Sequence, residues 1–294
     1  MKTNSLTITY LAKVSFASLN GGDKEVDNIN TIKKVTLENG DQLPYMSAQA
    51  VRRALRDKLQ ELGWSVSPVG ESSEDKGAAK TAGEGGKFID DDLFGFMDAA
   101  KAGTFVRTSP VRVEALLALN KFQEDLDFGT NYMAKDSGGN PNIFETEIHS
   151  GIYRGTILIE LDRVGEELKG AGKKEFSITN EDKATRVNAL IDAFQMLWSS
   201  GRQSRFLADI SPKFVAAALM KSKNPIFLET LKIKRDGQVD IEALKSVTND
   251  YAPFIDQSVF ATQEGVFTKN DDTVVSLGEG FATMKGWVNS YYGV

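Results

Sequence analysis

The segment Ser5–Phe16, SLTITYLAKVSF, alternates in polarity, with Leu6, Ile8, Tyr10, Ala12, Val14 and Phe16 on one side and Thr7, Thr9, Lys13 and Ser15 on the other. A sustained period of two describes a strand with one apolar face. Such a strand cannot stand alone: it needs strand neighbours along both edges and a layer of helix over its apolar side. The remaining chain must supply both.

It offers candidates in a regular order. Met46 and Val51 sit where a hydrophobic staple would hold a helix entry, Ser47 is placed as the N-cap, and Val51, Leu55, Leu59 and Leu62 follow three-to-four spacing. A strand is predicted near Thr104–Thr108, a helical segment over Val113–Phe122, and a strong strand over GIYRGTILIELDRV from Gly151. Lys183–Ser200 reads as an amphipathic helix with Val187, Leu190, Ile191, Phe194, Leu197 and Trp198 on one face, and KFVAAALM as a short apolar strand. Beyond Asn224 come short strands and a C-terminal helix from about Gly280. Strand, helix, strand, strand, helix, strand is the order of a split βαβ sheet, so the predicted class is α+β, ferredoxin-like or RRM-like, with helices on one face. Residues 1–294 are expected to form a single domain with insertions. Ser65–Lys87, rich in Gly, Ser, Ala and charge, reads as a mobile insertion, and the stretch around DSGGNP as the turn of a long hairpin or loop.

Composition narrows the chemistry. The chain has no cysteine, which removes disulfides and thiolate metal sites and fits a reducing cytoplasm. Its first residues lack the apolar core of a signal peptide, and no run approaches the roughly 20 apolar residues of a membrane span, so a soluble cytoplasmic protein is expected. A net charge of −6 argues against coating nucleic acid with the whole surface, but not against a local basic groove. His149 is the only histidine, which excludes His-pair mechanisms. P-loop, dinucleotide and nucleophile-elbow motifs are absent, and so is the aromatic signature with which RRM domains stack bases.

The predicted helix after Ser47 carries Gln49, Arg52, Arg53, Arg56 and Gln60 opposite its apolar stripe. Arg52 and Arg56 form a like-charge pair at four-residue spacing, unfavourable by roughly 0.2–0.5 kcal/mol unless an anion relieves it. Asp57 and Glu61 can serve Arg53 but sit poorly for Arg52. Ser47 and Gln49 lie at the helix N-terminus, where free N–H groups favour phosphate. A solvated helix surface is the competing explanation. The loop Gly201–Phe206 adds Arg202, Gln203 and Arg205, a second basic segment or a simple C-terminal cap. Asp90, Asp91 and Asp92 read as cap and dipole partners rather than metal ligands. Asp23 and Asp27, in the loop after the first strand, have the oxygen chemistry to hold Mg²⁺, although a plain polar loop explains them better.

Several of these segments together resemble the crRNA-binding backbone subunit of the CRISPR Cascade complex, in the type I-B (DevR) branch. MSAQAVRRALR is similar to that family's Ser-x-Gln-x-x-basic-basic-Ala helix; DLFGFM, the stretch from DFGTNYM to EIHSGIYRGTILIELDRV, and GRQSRFLADISPKFV follow in the family's order, from about Ser5 to Leu219. The resemblance implies an RRM-like palm, an inserted finger region and a thumb β-hairpin at about 125–147. Copies would stack helically along a guide RNA beside other Cascade subunits and support its pairing with target DNA, with bases displaced at regular intervals. Carried over by position, Ser47, Gln49, Arg52, Arg53 and Arg56 would hold the guide backbone, supported by Arg202, Gln203 and Arg205. Phe128, Met133, Ile143 and Phe144 are the thumb's apolar candidates for a wedge between bases. No catalytic residue, metal or cofactor is implied. The alternative is a metal-dependent RNA-cleaving backbone subunit like those of type III complexes, which cut with an aspartate in the region of Asp23 and Asp27.

Overall fold

The structure, a computed structural model, describes residues 1–22, 29–71, 79–100, 103–131, 138–139, 142–199 and 205–294. In chain order its first elements are β1 (Ser5–Ala17), β2 (Ile29–Asn30), β3 (Lys34–Thr36), β4 (Gln42–Met46), α1 (Ala48–Glu61), β5 (Gly70–Glu71) and β6 (Ala79–Lys80). Then come α2 (Ile89–Phe94), β7 (Phe96–Ala100), β8 (Gly103–Arg107), β9 (Val111–Val113), β10 (Leu116–Ala118), β11 (Leu126–Asn131), β12 (Asn142–Glu147) and β13 (His149–Glu160). The remainder is β14 (Glu166–Glu167), β15 (Phe176–Ser177), α3 (Asn180–Gln195), β16 (Phe214–Met220), α4 (Ile241–Asp250), β17 (Ile255–Thr262), β18 (Val274–Ser276) and α5 (Leu277–Tyr292).

The fold is α+β. β1 is central to a sheet ordered β18-β17-β16-β1-β13-β10-β4-β3, with β9 also on β13. It pairs antiparallel with β13 on one edge and with β16 on the other. Its apolar face does what the alternation requires: Leu6, Ile8, Tyr10, Ala12 and Val14 are buried under α1, α3 and α5 in one core. Tyr10 meets Phe194 of α3 edge-on at 4.7 Å between ring centres, and Gly155 on β13 leaves the Tyr10 ring its space, since a Cβ there would lie 2.6 Å from it.

The other face is covered as well. Leu11 of β1 and Phe214, Ala216, Ala218 and Met220 of β16 form a second core with Phe227, Leu231, Ile241 and Leu244. This explains why every residue of β16 is buried, and why that strand reads as a continuous apolar run rather than an alternation.

Three expectations need correction. The helical segment over Val113–Phe122 is instead β9 and β10. Val111, Val113, Leu116 and Ala118 are buried toward the helical layer, and Glu114 and Leu119 donate backbone hydrogen bonds to Thr156 and Ile152 of β13. Two short alternating stretches split by Glu114–Ala115 mimic helical spacing, and the open edge of β13 decides between them. Phe16 does not join the apolar face. The register on β13 runs from Val14↔Gly151 to Ala17↔His149, so β1 carries one extra residue there, and Ala17 takes the inward position. Beyond Asn224, α4 forms where only strands were expected.

The region after α1 is fastened by buried charge. Asp92 accepts from Arg107 at 2.5 Å, Arg186 of α3 at 2.7 Å and the Gly165 amide at 3.0 Å. Arg107 also donates to Glu167 at 2.8 Å and to the carbonyls of Asp92, Arg163 and Glu166. Arg186 donates to the carbonyls of Gly85 and Gly86. Within 65–87, the Ser67 and Glu84 amides donate to Asp90 and Asp91, and Ala82 donates to the Ser67 hydroxyl. Residues 72–78 lie outside the described residues. Truncating Asp92 would leave the Arg186 guanidinium with no carboxylate among the described residues and Arg107 with Glu167 alone, so Asp92→Ala is expected to lower stability by about 3–5 kcal/mol. A urea titration followed by circular dichroism measures it; a midpoint equal to wild type would contradict this placement.

Candidate nucleic-acid interface

α1 starts where the sequence places it. Ser47 caps it, accepting from the Ala50 amide at 3.3 Å, while its own amide donates to Asn20 at 3.0 Å, so the helix start is tied to the end of β1. The first turn contains no acid, which leaves the positive end of the helix dipole uncompensated by its own sequence. Val51, Ala54, Leu55 and Leu59 are buried, and Met46 is buried at the staple position.

The three arginines of the opposite face have different environments. Arg53 is exposed and pairs with Asp57 at 2.8 Å. Arg56 reaches Asp90 at 2.7 Å and the Ser67 carbonyl at 2.6 Å, so a carboxylate from α2 occupies it. Arg52 has no carboxylate partner among the described residues; its Nε is buried with no hydrogen bond, and burial lowers the guanidinium pKa. Gln49, Arg52, Arg53 and Arg56 line a cleft of about 230 Å³ with Asp90, Asp91 and Phe94. Among the described residues expected to meet phosphate, Arg52 is therefore the cation that lacks a counter-charge.

Arg205 stands apart from α1. It is ion-paired with Asp127 of β11, donates to the Thr146 hydroxyl of β12 at 3.0 Å, and lies 4.8 Å over the Phe144 ring. Arg202 and Gln203 lie outside the described residues. Arg205 thus fastens the hairpin β11–β12, which occupies the stretch 125–147. The base of the hairpin is held again by Glu147, which accepts from the Ile32 amide and from Lys34.

Register sorts the hairpin's apolar residues. Asp127↔Thr146 and Gly129↔Phe144 share the face toward Arg205; a Cβ on Gly129 would lie 2.5 Å from the Phe144 ring, so Phe144 is folded down over the glycine. Phe128↔Glu145 and Thr130↔Ile143 share the opposite face, where Phe128 is 60% and Ile143 49% exposed. Met133 lies outside the described residues. Phe128 and Ile143 therefore project from a hairpin whose other face is pinned, with Leu126 also exposed on their side.

The lone histidine is held by side-chain hydrogen bonds on both ring nitrogens. Asn120 accepts from the Ile152 amide at 3.2 Å, so its amide group donates to His149 Nε2 at 3.1 Å, and the ring proton on Nδ1 faces Tyr153 Oη at 2.8 Å. Asp90, Asp91 and Asp92 are all buried in the clamp described above, a role that cap chemistry alone did not reveal. Asp23 and Asp27 lie outside the described residues. Among the described residues no helix is long and apolar enough to cross a membrane.

The sheet, its helical layer and the hairpin define an α+β fold that is also found in chains of CRISPR assemblies. One, described as a CRISPR RNA-guided surveillance complex, pre-nicking, aligns with a TM-score of 0.63 and 14% identity over 98% of this chain and 100% of that one. Another, from a CRISPR RNA-guided surveillance complex, gives 0.60 and 16% identity over 96% and 99%. At such identity the likeness is one of fold. The family model described as CRISPR-associated negative auto-regulator DevR/Csa2 matches residues 8–240, and the chain belongs to that family. No curated protein matches it.

Burial lowers the His149 pKa below 6.5. The unfolded chain then binds the proton more readily, so stability from this site is present above about pH 6.5 and is lost as the pH falls toward the folded-state pKa. Urea midpoints between pH 7.5 and 5.5 should decline for wild type and decline less for His149→Gln; equal slopes would contradict the buried neutral ring.

Proposed function

We propose that this protein is a non-catalytic crRNA-binding backbone subunit of a type I-B CRISPR Cascade complex. Copies of it stack in a helix along the guide RNA, contact the other Cascade subunits and support the pairing of guide with target DNA in the cytoplasm. Its palm is RRM-like. The strand order β16-β1-β13-β10, antiparallel throughout and bridged by α1 and α3, is that expected of a split βαβ sheet. The loops between these strands carry the inserted finger region and the thumb, β11–β12.

The observation that carries the proposal is Arg52. A half-buried guanidinium with no counter-ion among the described residues, beside a helix N-terminus free of acids, is a site for an anion. Gln49 and Arg53 are exposed along the same face. Phosphates of a single strand running over α1 would meet Ser47, Gln49, Arg52 and Arg53, while Arg56, held by Asp90, shapes the cleft wall. Arg205 would act through the thumb, with Arg202 and Gln203 on the same loop. Phe128 and Ile143 are the exposed wedge residues. An acidic total charge is compatible with this design, because phosphate attraction acts over only about 8–10 Å at ordinary salt.

The test is anisotropy binding of a repeat-containing RNA over a salt series to wild type and to Arg52→Gln/Arg53→Gln, which leaves the Arg56–Asp90 pair intact. Wild type should bind with steep salt dependence. The double variant should bind more weakly, its log–log slope shallower by roughly 0.7 for each phosphate contact removed. Equal affinity and slope would remove α1 from the RNA path, and Mg²⁺-dependent cleavage of a guide-complementary RNA would overturn the non-catalytic assignment.

A further inference from the structure

We infer that Phe16 is the stacking platform of a separate nucleobase pocket at the root of the β11–β12 hairpin. The inference rests on the RNA-binding proposal and adds a site to it.

Three observations converge on this residue. First, the extra residue in β1 between Val14 and Ala17 turns Phe16 out of the core, leaving it 49% exposed. A bulge next to a functional region commonly re-aims one side chain, and here the side chain re-aimed is a large aromatic near the end of a mostly buried strand. Second, the ring is not loose. It packs against Phe206 at 5.2 Å, Phe206 lies 5.3 Å under the Arg205 guanidinium, and the same guanidinium lies 4.8 Å over Phe144. Phe16 is the outer end of a column of rings and guanidinium that runs into the hairpin.

Third, Phe16 forms part of a pocket of about 370 Å³ shared with Asn120, Gln123, Asp125, Ile148 and His149. Asp125 and Ile148 are the residues that directly flank the hairpin, so the pocket lies at the hairpin's root, on the side of the Arg205–Phe144 stack. The lining carries two carboxylates, Glu124 and Asp125, against one cation, Lys121, so its net charge disfavours phosphate. A neutral planar base suits it: an aromatic face for stacking, with polar side chains around the edge. Asn120 and His149 are committed to each other and give a fixed wall, while Gln123 is exposed at the rim. Every base has a π-face, so this pocket would accept an unstacked base with little regard to sequence.

The test measures wild type, Phe16→Ala and Phe16→Trp against a repeat-containing RNA and a set of the same RNA with single abasic positions. Phe16→Ala should weaken binding by about 5- to 150-fold, the range for loss of one base stack. In wild type one abasic register should cost a similar factor, and in Phe16→Ala that register should cost nothing further. Phe16→Trp should bind like wild type, with indole emission quenched by intact RNA and not by the abasic one. Equal binding by Phe16→Ala, or an abasic series without a sensitive position in wild type, overturns the pocket. Should Phe16→Ala not fold, the wild-type abasic series and the Phe16→Trp emission decide. Wild type that binds no RNA at all is a different result: it rejects the RNA proposal itself, and this pocket with it.

Discussion

Asp92 holds together the part of the structure on which the proposed site depends. Its carboxylate, out of contact with water, joins α2 to Arg107 on β8 and Arg186 on α3. With α2 fixed there, Asp90 faces Arg56 and the carbonyls of Gly85 and Gly86 are drawn onto α3. The cleft along α1 follows from that placement. Desolvating such a network costs about as much as its attractions return, so its value lies in position more than in stability. With Arg56 neutralised by Asp90 and Arg53 by Asp57, the row of like charges is left with one cation, Arg52, that has no carboxylate partner among the described residues.

The sheet shows the same economy of position. β1 was legible from its alternation, and β13, α1 and α3 from their periodicities, because each buries one regular face in one core. β9 and β10 were not, since two short stretches separated by a turn carry too few residues to distinguish a period of two from one of 3.6. α4 was missed for a related reason: only Ile241 and Leu244 of it are buried, so its pattern is faint, and the core it joins is built from loop residues such as Phe227 and Leu231.

The candidate site was partly legible. The arginine face of α1 is visible in the sequence, but which arginine lacks a partner depends on Asp90, more than thirty residues away and fixed by tertiary packing. Likewise, four apolar residues of the hairpin looked equivalent until the register placed Phe144 against Gly129 and Arg205 and left Phe128 and Ile143 outward. Strand register is a property of the pair of strands, so neither strand alone reveals it. The exposure of Phe16 has the same origin, because a bulge changes every orientation beyond it.

Under the proposed function, stacked copies that each push a hairpin across a common RNA would impose a regular periodicity on its bases. The most direct measurement is therefore chemical probing of base accessibility along the RNA in the assembled particle, for wild type and for Phe128→Ala/Ile143→Ala. Evenly spaced, hyper-reactive bases in a protected strand, lost in the double variant, are the predicted result. A strand that is uniformly reactive, or protected with no regular interval, would contradict the backbone role.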